Sequence, residues 1–147
     1  MIQLCGSVEK ERGTKMIAFD KFIMDDSGPI YAQIVRYVKR GIVAGNIVDG
    51  DEMPSRRVLS SLLGVNPNTI QKSYRILEEE GIIQSHAGAK SYVVLGPEKV
   101  TKIRSELIES DVGAIIGAMK QSGVSKEEAL ELIDRLWEID PANKPQE

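Results

Sequence analysis

The run "VLSSLLGVNPNTIQKSYRILEEEG" (Val58 to Gly81) constrains the fold more than any other part of the chain. Val58, Leu59, Leu62 and Leu63 keep a helical spacing, are predicted to face inward, and stop at Gly64. A second helical pattern then follows, with Ile70, Tyr74 and Leu77 as its buried stripe. Asn66 is its expected N-cap, Pro67 occupies the first helical position where a missing N–H costs nothing, and Gly81 is the stop. Two helices joined by a turn of only a few residues are the helix-turn-helix arrangement.

The flanking sequence supplies the rest of a domain. "SGPIYAQIVRYVKRGIVAG" repeats Ile30, Ile34, Val38 and Ile42 four apart and predicts a helix over 30–44, opened by Pro29 and closed by Gly45. "VDGDEMP" reads as a turn closed by Pro54, and Ser55 as the N-cap of the helix after it. "IIQSHAGAKSYVVL" holds two short β-prone runs, 82–85 and 91–95, around a turn of small residues, which is a β-hairpin. The expected fold class is therefore α+β, mostly α: a winged helix-turn-helix of three helices plus a β-hairpin over residues 28–95. Residues 1–15 show neither period, and the whole stretch 1–27 is expected to be a largely flexible extension. "KERG" ahead of Met16 can be encoded by a purine-rich stretch, so Met16 is a candidate translation start whose preceding codons hide a ribosome-binding site. Intact protein beginning at Met1, seen by N-terminal mass spectrometry, would rule that out.

In a helix-turn-helix the second helix of the pair enters the major groove by its N-terminal end. Asn and Gln pair with adenine edges through two hydrogen bonds, and Thr bonds a base or touches a thymine methyl. Asn68, Thr69, Gln71 and Lys72 stand where such contacts are made. For Asn66 and Pro67 two readings stay open, because capping alone accounts for both residue types.

Overall charge argues little. The chain carries a formal −3, but residues 28–95 hold eight Lys/Arg against six Asp/Glu, whereas 96–147 hold seven against eleven. A mildly basic middle and an acidic tail fit a nucleic-acid partner for the former. Hydrophobic content of 41% and charged content of 28% are ordinary for a soluble globular chain. No apolar run reaches spanning length, so no membrane partner is expected. The N-terminus lacks a signal-peptide order, and one cysteine, Cys5, fits a reducing cytoplasm. One histidine and one cysteine far apart offer no metal site, and no nucleophile set or phosphate loop is present, so neither cofactor nor enzyme is expected.

The last part, 96–140, reads as two helices, with 141–147 a flexible end. Val100, Ile103, Leu107, Ile108, Val112, Ile115, Ile116 and Met119 form one broad apolar face. Ser125 and Glu128 form a capping box for the second helix, whose apolar face is Ala129, Leu132, Ile133, Leu136 and Trp137. Two helices cannot bury so wide a face between them. Either the winged domain or a second copy of the chain must cover it.

Taken together, "GPIYAQIVRYVKRGIVAGNIVDGDEMPS", "PSRRVLSSLLGVNPNTIQKSYRILEEEGII", "SHAGAKSYVV" and the short tail resemble the GntR family of bacterial transcription regulators, and its YtrA subfamily, over about residues 28–140. The resemblance implies a homodimeric, cytoplasmic regulator of double-stranded DNA, a repressor on a palindromic operator, with its own operon and ABC-transporter genes as targets. It implies DNA contact by Arg57, by Asn66, Pro67, Asn68, Thr69 and Gln71, by Ser55 at a phosphate, and by His86 and Gly88 at the wing tip. Arg56 and Lys72 are further phosphate candidates on charge. The resemblance makes the tail a two-helix dimerisation element built on Ile103, Leu107, Ile108, Val112, Ile115, Ile116, Met119, Leu132, Ile133, Leu136 and Trp137. The wing departs from the family pattern: Ala87 and Ala89 stand where basic residues are usual and Lys90 where glycine is, so a weaker wing contact is expected. The alternative function is a winged-helix module that docks another protein and does not bind DNA; a small-molecule site between wing and tail would change regulation rather than class.

Overall fold

Helix α1 (Ile30–Val43) begins directly after Pro29 and buries Ile34, Val35, Val38 and Ile42 along one face. The computed structural model describes residues 13–86 and 90–139. Gln33 fastens the entrance of α1: its Nε2 donates to the carbonyls of Asp25 and Gly28, each at 2.8 Å. Strand β1 (Glu52–Met53), helix α2 (Arg56–Leu63), helix α3 (Pro67–Glu79), strands β2 (Ile83–Ser85) and β3 (Ser91–Val93), and helices α4 (Pro97–Gln121) and α5 (Lys126–Leu136) follow in order.

The punctuation of α2 and α3 is local chemistry. Ser55 Oγ accepts the Val58 N–H at 3.1 Å, and Gly64 closes α2 at φ 64°, a left-handed conformation that glycine adopts without a steric cost. Asn66 Oδ1 accepts the Asn68 N–H at 2.8 Å, with Pro67 opening α3. The stripe Ile70, Tyr74 and Leu77 meets Leu59 of α2 and Ile34 and Val38 of α1 in one core cluster, every one of them at 0% exposure. Tyr74 keeps its hydroxyl satisfied there by donating to the Pro54 carbonyl, and burial pushes its phenol well above the ordinary 10.0.

Four features depart from the expectations. The turn expected at "VDGDEMP" contains β1, which pairs antiparallel with β3 (Glu52 opposite Tyr92, Met53 opposite Ser91) and completes a three-stranded sheet ordered β1-β3-β2. Two residues are too short a strand to show an alternation in sequence.

The N-terminal extension is, from residue 15 to 22, part of the fold and not a flexible tail. Met16 bridges Glu52 in parallel; the Ile17 N–H donates to the Glu52 carbonyl at 2.8 Å and the Glu52 N–H to the Lys15 carbonyl at 2.9 Å. Ile17 and Phe19 are each 4% exposed, and Phe19, Phe22 and Tyr37 form an aromatic cluster with centroids 5.0 to 6.2 Å apart. The reason is long-range: the sheet edge of β1 and the back of α1 supply partners that a window over 1–27 does not contain. The first twelve residues lie outside the described ones.

Val58 and Leu62, expected inward, are 57% and 63% exposed. A helix of eight residues presents only a narrow strip to a core, and here Leu59 and the half-buried Leu63 occupy it.

Lastly, Ile103 and Leu107, assigned to dimerisation, are 5% and 6% exposed within the first of two compact units, Met1–Leu107 and Ile108–Glu147. The winged unit therefore extends past residue 95 into the first turns of α4. Lys99 helps to hold those turns, its Nζ donating to the Gly81 carbonyl at 2.6 Å just beyond α3.

The second unit contains the remainder of α4 and α5. Gly123 turns the chain at φ 74°, and Ser125 Oγ accepts the Glu128 N–H at 3.2 Å, the first half of the expected capping box. None of the α5 residues is buried. Val112, Ile115, Ile116, Ile133, Leu136 and Trp137 are between 41% and 78% exposed. Among the described residues no helix is long and apolar enough to cross a membrane.

Candidate nucleic-acid interface

Helices α2 and α3 place their N-terminal ends and the turn between them at the surface. Arg57, Asn66, Pro67, Asn68, Gln71 and Lys72 are exposed and Thr69 is half-buried. The side chains of Arg57, Asn68, Thr69 and Gln71 find no hydrogen-bond or ion-pair partner among the described residues. Donors and acceptors are thus left available at the first turns of α3, where an edge of a base presents the complementary groups.

The charge pattern of α3 runs against the helix dipole. Favourable placement puts acids at the N-terminus and bases at the C-terminus. Here the first turn carries no acid, the last turn carries no base, and Glu78, Glu79 and Glu80 crowd the C-terminal end. The fold offsets the cost with counter-ions: Glu78 meets Arg56 at 2.8 Å, Glu80 meets Lys39 at 2.8 Å, and Glu79 lies 3.9 Å from Arg75. Helix α2 likewise starts with Arg56 and Arg57 and no acid. The start of α3 keeps its positive end free of any acid in its first turn, which suits a phosphate backbone rather than stability.

The remaining candidates divide. Ser55 and Asn66 spend their side-chain oxygens as caps, so of the two readings left open for Asn66, capping is the one visible in the geometry. Arg56 is not a free surface cation: its guanidinium stacks 4.9 Å from the Tyr74 ring centroid and pairs with Glu78. Charge alone could not distinguish it from Arg57, because only the packing of α2 on α3 decides which of two adjacent arginines turns inward. Lys72 is exposed but rests its Nζ 3.9 Å from the Tyr31 ring centroid, a cation–π contact between α3 and the start of α1. His86 is exposed at the wing, its ring 5.5 Å from that of Tyr92. Gly88, with Ala87 and Ala89, lies outside the described residues.

One residue on this face escaped the sequence reading. Arg75 is exposed one turn beyond Gln71 and extends the cationic edge of α3. The four-residue spacing from Gln71 was the signal that could have found it. Among the described residues no group of His, Cys, Asp and Glu could hold a metal ion. The chemistry this face offers is recognition through hydrogen bonds and charge.

Comparison with known proteins agrees with this geometry. The family model for bacterial regulatory proteins of the gntR family matches residues 30–93. The HTH-type transcriptional regulator YhcF of Bacillus subtilis (strain 168) is 33% identical over 112 residues, covering 76% of this chain and 93% of YhcF. The HTH-type transcriptional repressor YtrA of the same organism is 38% identical over 87 residues, covering 55% of this chain and 67% of YtrA. Among solved structures, a GntR family transcriptional regulator from Listeria monocytogenes superposes with a TM-score of 0.65 at 34% identity, covering 76% of this chain and 98% of that one.

Proposed function

This chain belongs to the GntR family of bacterial regulatory proteins, in its YtrA-like branch, and is a DNA-binding transcription regulator; from that premise we propose that it is a homodimeric repressor that reads a palindromic operator. The observation that carries the reading is the face at the start of α3, where Asn68, Thr69 and Gln71 stand unpartnered and no acid shields the helix start, together with the exposed Arg57 at the start of α2. In the proposed complex α3 lies in the major groove, Asn68 and Gln71 read base edges, Thr69 contacts a base or a methyl group, and Arg57 and Lys72 bond phosphates. Arg75 joins them from the next turn of α3. Ser55, Asn66 and Pro67 hold the two helix starts in position, and the wing that carries His86 reaches the neighbouring minor groove.

Dimerisation is supported by the second unit, where Ile115, Ile116, Ile133, Leu136 and Trp137 are between 41% and 78% exposed. A two-fold pair of winged units matches a two-fold DNA site, with half-sites about one helical turn or more apart. Repression follows from occupancy of a promoter, in the cytoplasm, and the relative YtrA is itself named a repressor. The operator of its own operon is the first target to test.

The test is a titration of the full chain against duplex DNA from upstream of its own gene, with a random duplex as control, at several salt concentrations. Tight binding that keeps its margin over the control as salt rises supports the reading. Equal, weak and steeply salt-dependent binding to both duplexes, repeated across genomic fragments, overturns it and favours the protein-docking alternative.

A further inference from the structure

A chain of polar contacts joins the reading helices to the base of the wing, and it passes through one carboxylate. Glu78 sits in the last turn of α3, two turns beyond Gln71 on the same stripe of the helix, at the end remote from the reading residues. Its Oε1 accepts from Arg56 Nη2 at 2.8 Å and from Ser85 Oγ at 2.6 Å. Ser85 Oγ is in turn 2.9 Å from Ser91 Oγ, and Ser85 and Ser91 are the directly paired residues that close the β2–β3 ladder just before the wing tip. Arg56 completes the other end. It lies over the Tyr74 ring, and its Nε is buried without an acceptor among the described residues. An arginine is held with an unpaired buried donor only where its other contacts compensate, and the compensating contact is the one to Glu78.

We propose that Glu78 is a positioning residue for DNA specificity: through Ser85 and Ser91 it fixes the wing at one distance and angle from α3, while Arg56 fixes Glu78. This rests on the proposal that α3 and the wing read adjacent grooves. A recognition helix fixed to a mobile wing would still select its own base pairs. The base pairs flanking them would be selected only if the wing arrived in a single place. Adjacent arginines in α2 therefore have separate tasks, Arg57 facing outward and Arg56 inward.

The experiment is selection from a randomised duplex library with the full chain, comparing wild type, Glu78→Ala, Glu78→Gln and Ser85→Ala. Ile47→Val, a core substitution away from both reading elements, supplies the pattern of mere destabilisation. In Glu78→Ala and in Ser85→Ala, an exposed position whose loss leaves the core intact, the flanking positions are expected to flatten while those read by α3 persist. A flank mismatch costing wild type about tenfold should cost these variants about threefold or less. Glu78→Gln keeps an acceptor oxygen for both partners and should retain the flanking preference. The inference fails if both loss variants merely weaken all positions together, as Ile47→Val does, or if wild type shows no flanking preference. A wild type that selects no motif at all overturns the DNA-reading proposal itself, and this inference with it.

Discussion

The winged unit and the second unit are written in the same alphabet of amphipathic helices, yet one closes its own core and the other does not. Ile34, Val38, Leu59, Ile70, Tyr74 and Leu77 are fully buried, whereas Ile115, Ile116, Leu136 and Trp137 are between 46% and 78% exposed. The difference lies not in residue type but in the number of elements converging on one place. Three helices, a sheet and the 15–22 segment surround the first core, while the second unit has only part of α4 and α5. A periodic apolar stripe states that something must cover it; it does not say whether the cover comes from the same chain.

The comparison can be broken most severely in the winged core. Leu77→Ala should destabilise that unit by about 2–5 kcal/mol in urea unfolding, whereas Leu136→Ala, measured at concentrations low enough to keep monomers, should cost well under about 1 kcal/mol. A large loss at Leu136 in the monomer would show that the second unit has a core of its own. Phe19→Ala probes the segment the sequence alone suggests is loose; its burial against Phe22 and Tyr37 predicts a loss of about 3 kcal/mol by thermal unfolding. An unchanged melting temperature would return residues 15–22 to the status of a tail.

On the proposed dimer, Ile115→Glu combined with Ile116→Glu should weaken self-association by about 100-fold in sedimentation experiments without lowering the melting point of the winged unit. Unchanged association would place the dimer contact elsewhere. Arg57→Ala should reduce operator affinity by about tenfold and lower the slope of log affinity against log salt by about 1, with stability unchanged. A loss confined to stability would make Arg57 structural. Ser125→Ala is expected to cost about 1 kcal/mol and to fray the start of α5, visible as a small fall in helical circular dichroism.

Much of this was legible residue by residue. The α2–α3 pair announced itself because its signals are local: Ser55 and Asn66 as caps, Pro67 at a helix start, Gly64 and Gly81 as stops. The polar cluster from Asn68 to Lys72 was legible for a related reason, since middling helix formers at the front of a helix violate local preference and such violations gather at binding sites. Strand β1, the bridge at Met16 and the burial of Ile103 and Leu107 were not legible, because each depends on a partner far away in sequence. Arg56 and Arg57 are chemically identical neighbours, and nothing short of the packing of α2 on α3 tells which one meets Glu78.

By itself, then, the sequence determined the helices, their caps, the turn between α2 and α3 and the identity of the face with unpaired hydrogen-bonding groups, because these follow from interactions within a few residues. Tertiary structure alone decided that 15–22 joins the fold, that the winged unit runs to Leu107, that Val58 and Leu62 stay outside, and that one carboxylate on α3 reaches the wing. Those outcomes depend on long-range neighbours, and burial or a hydrogen bond exists only once the partner has arrived.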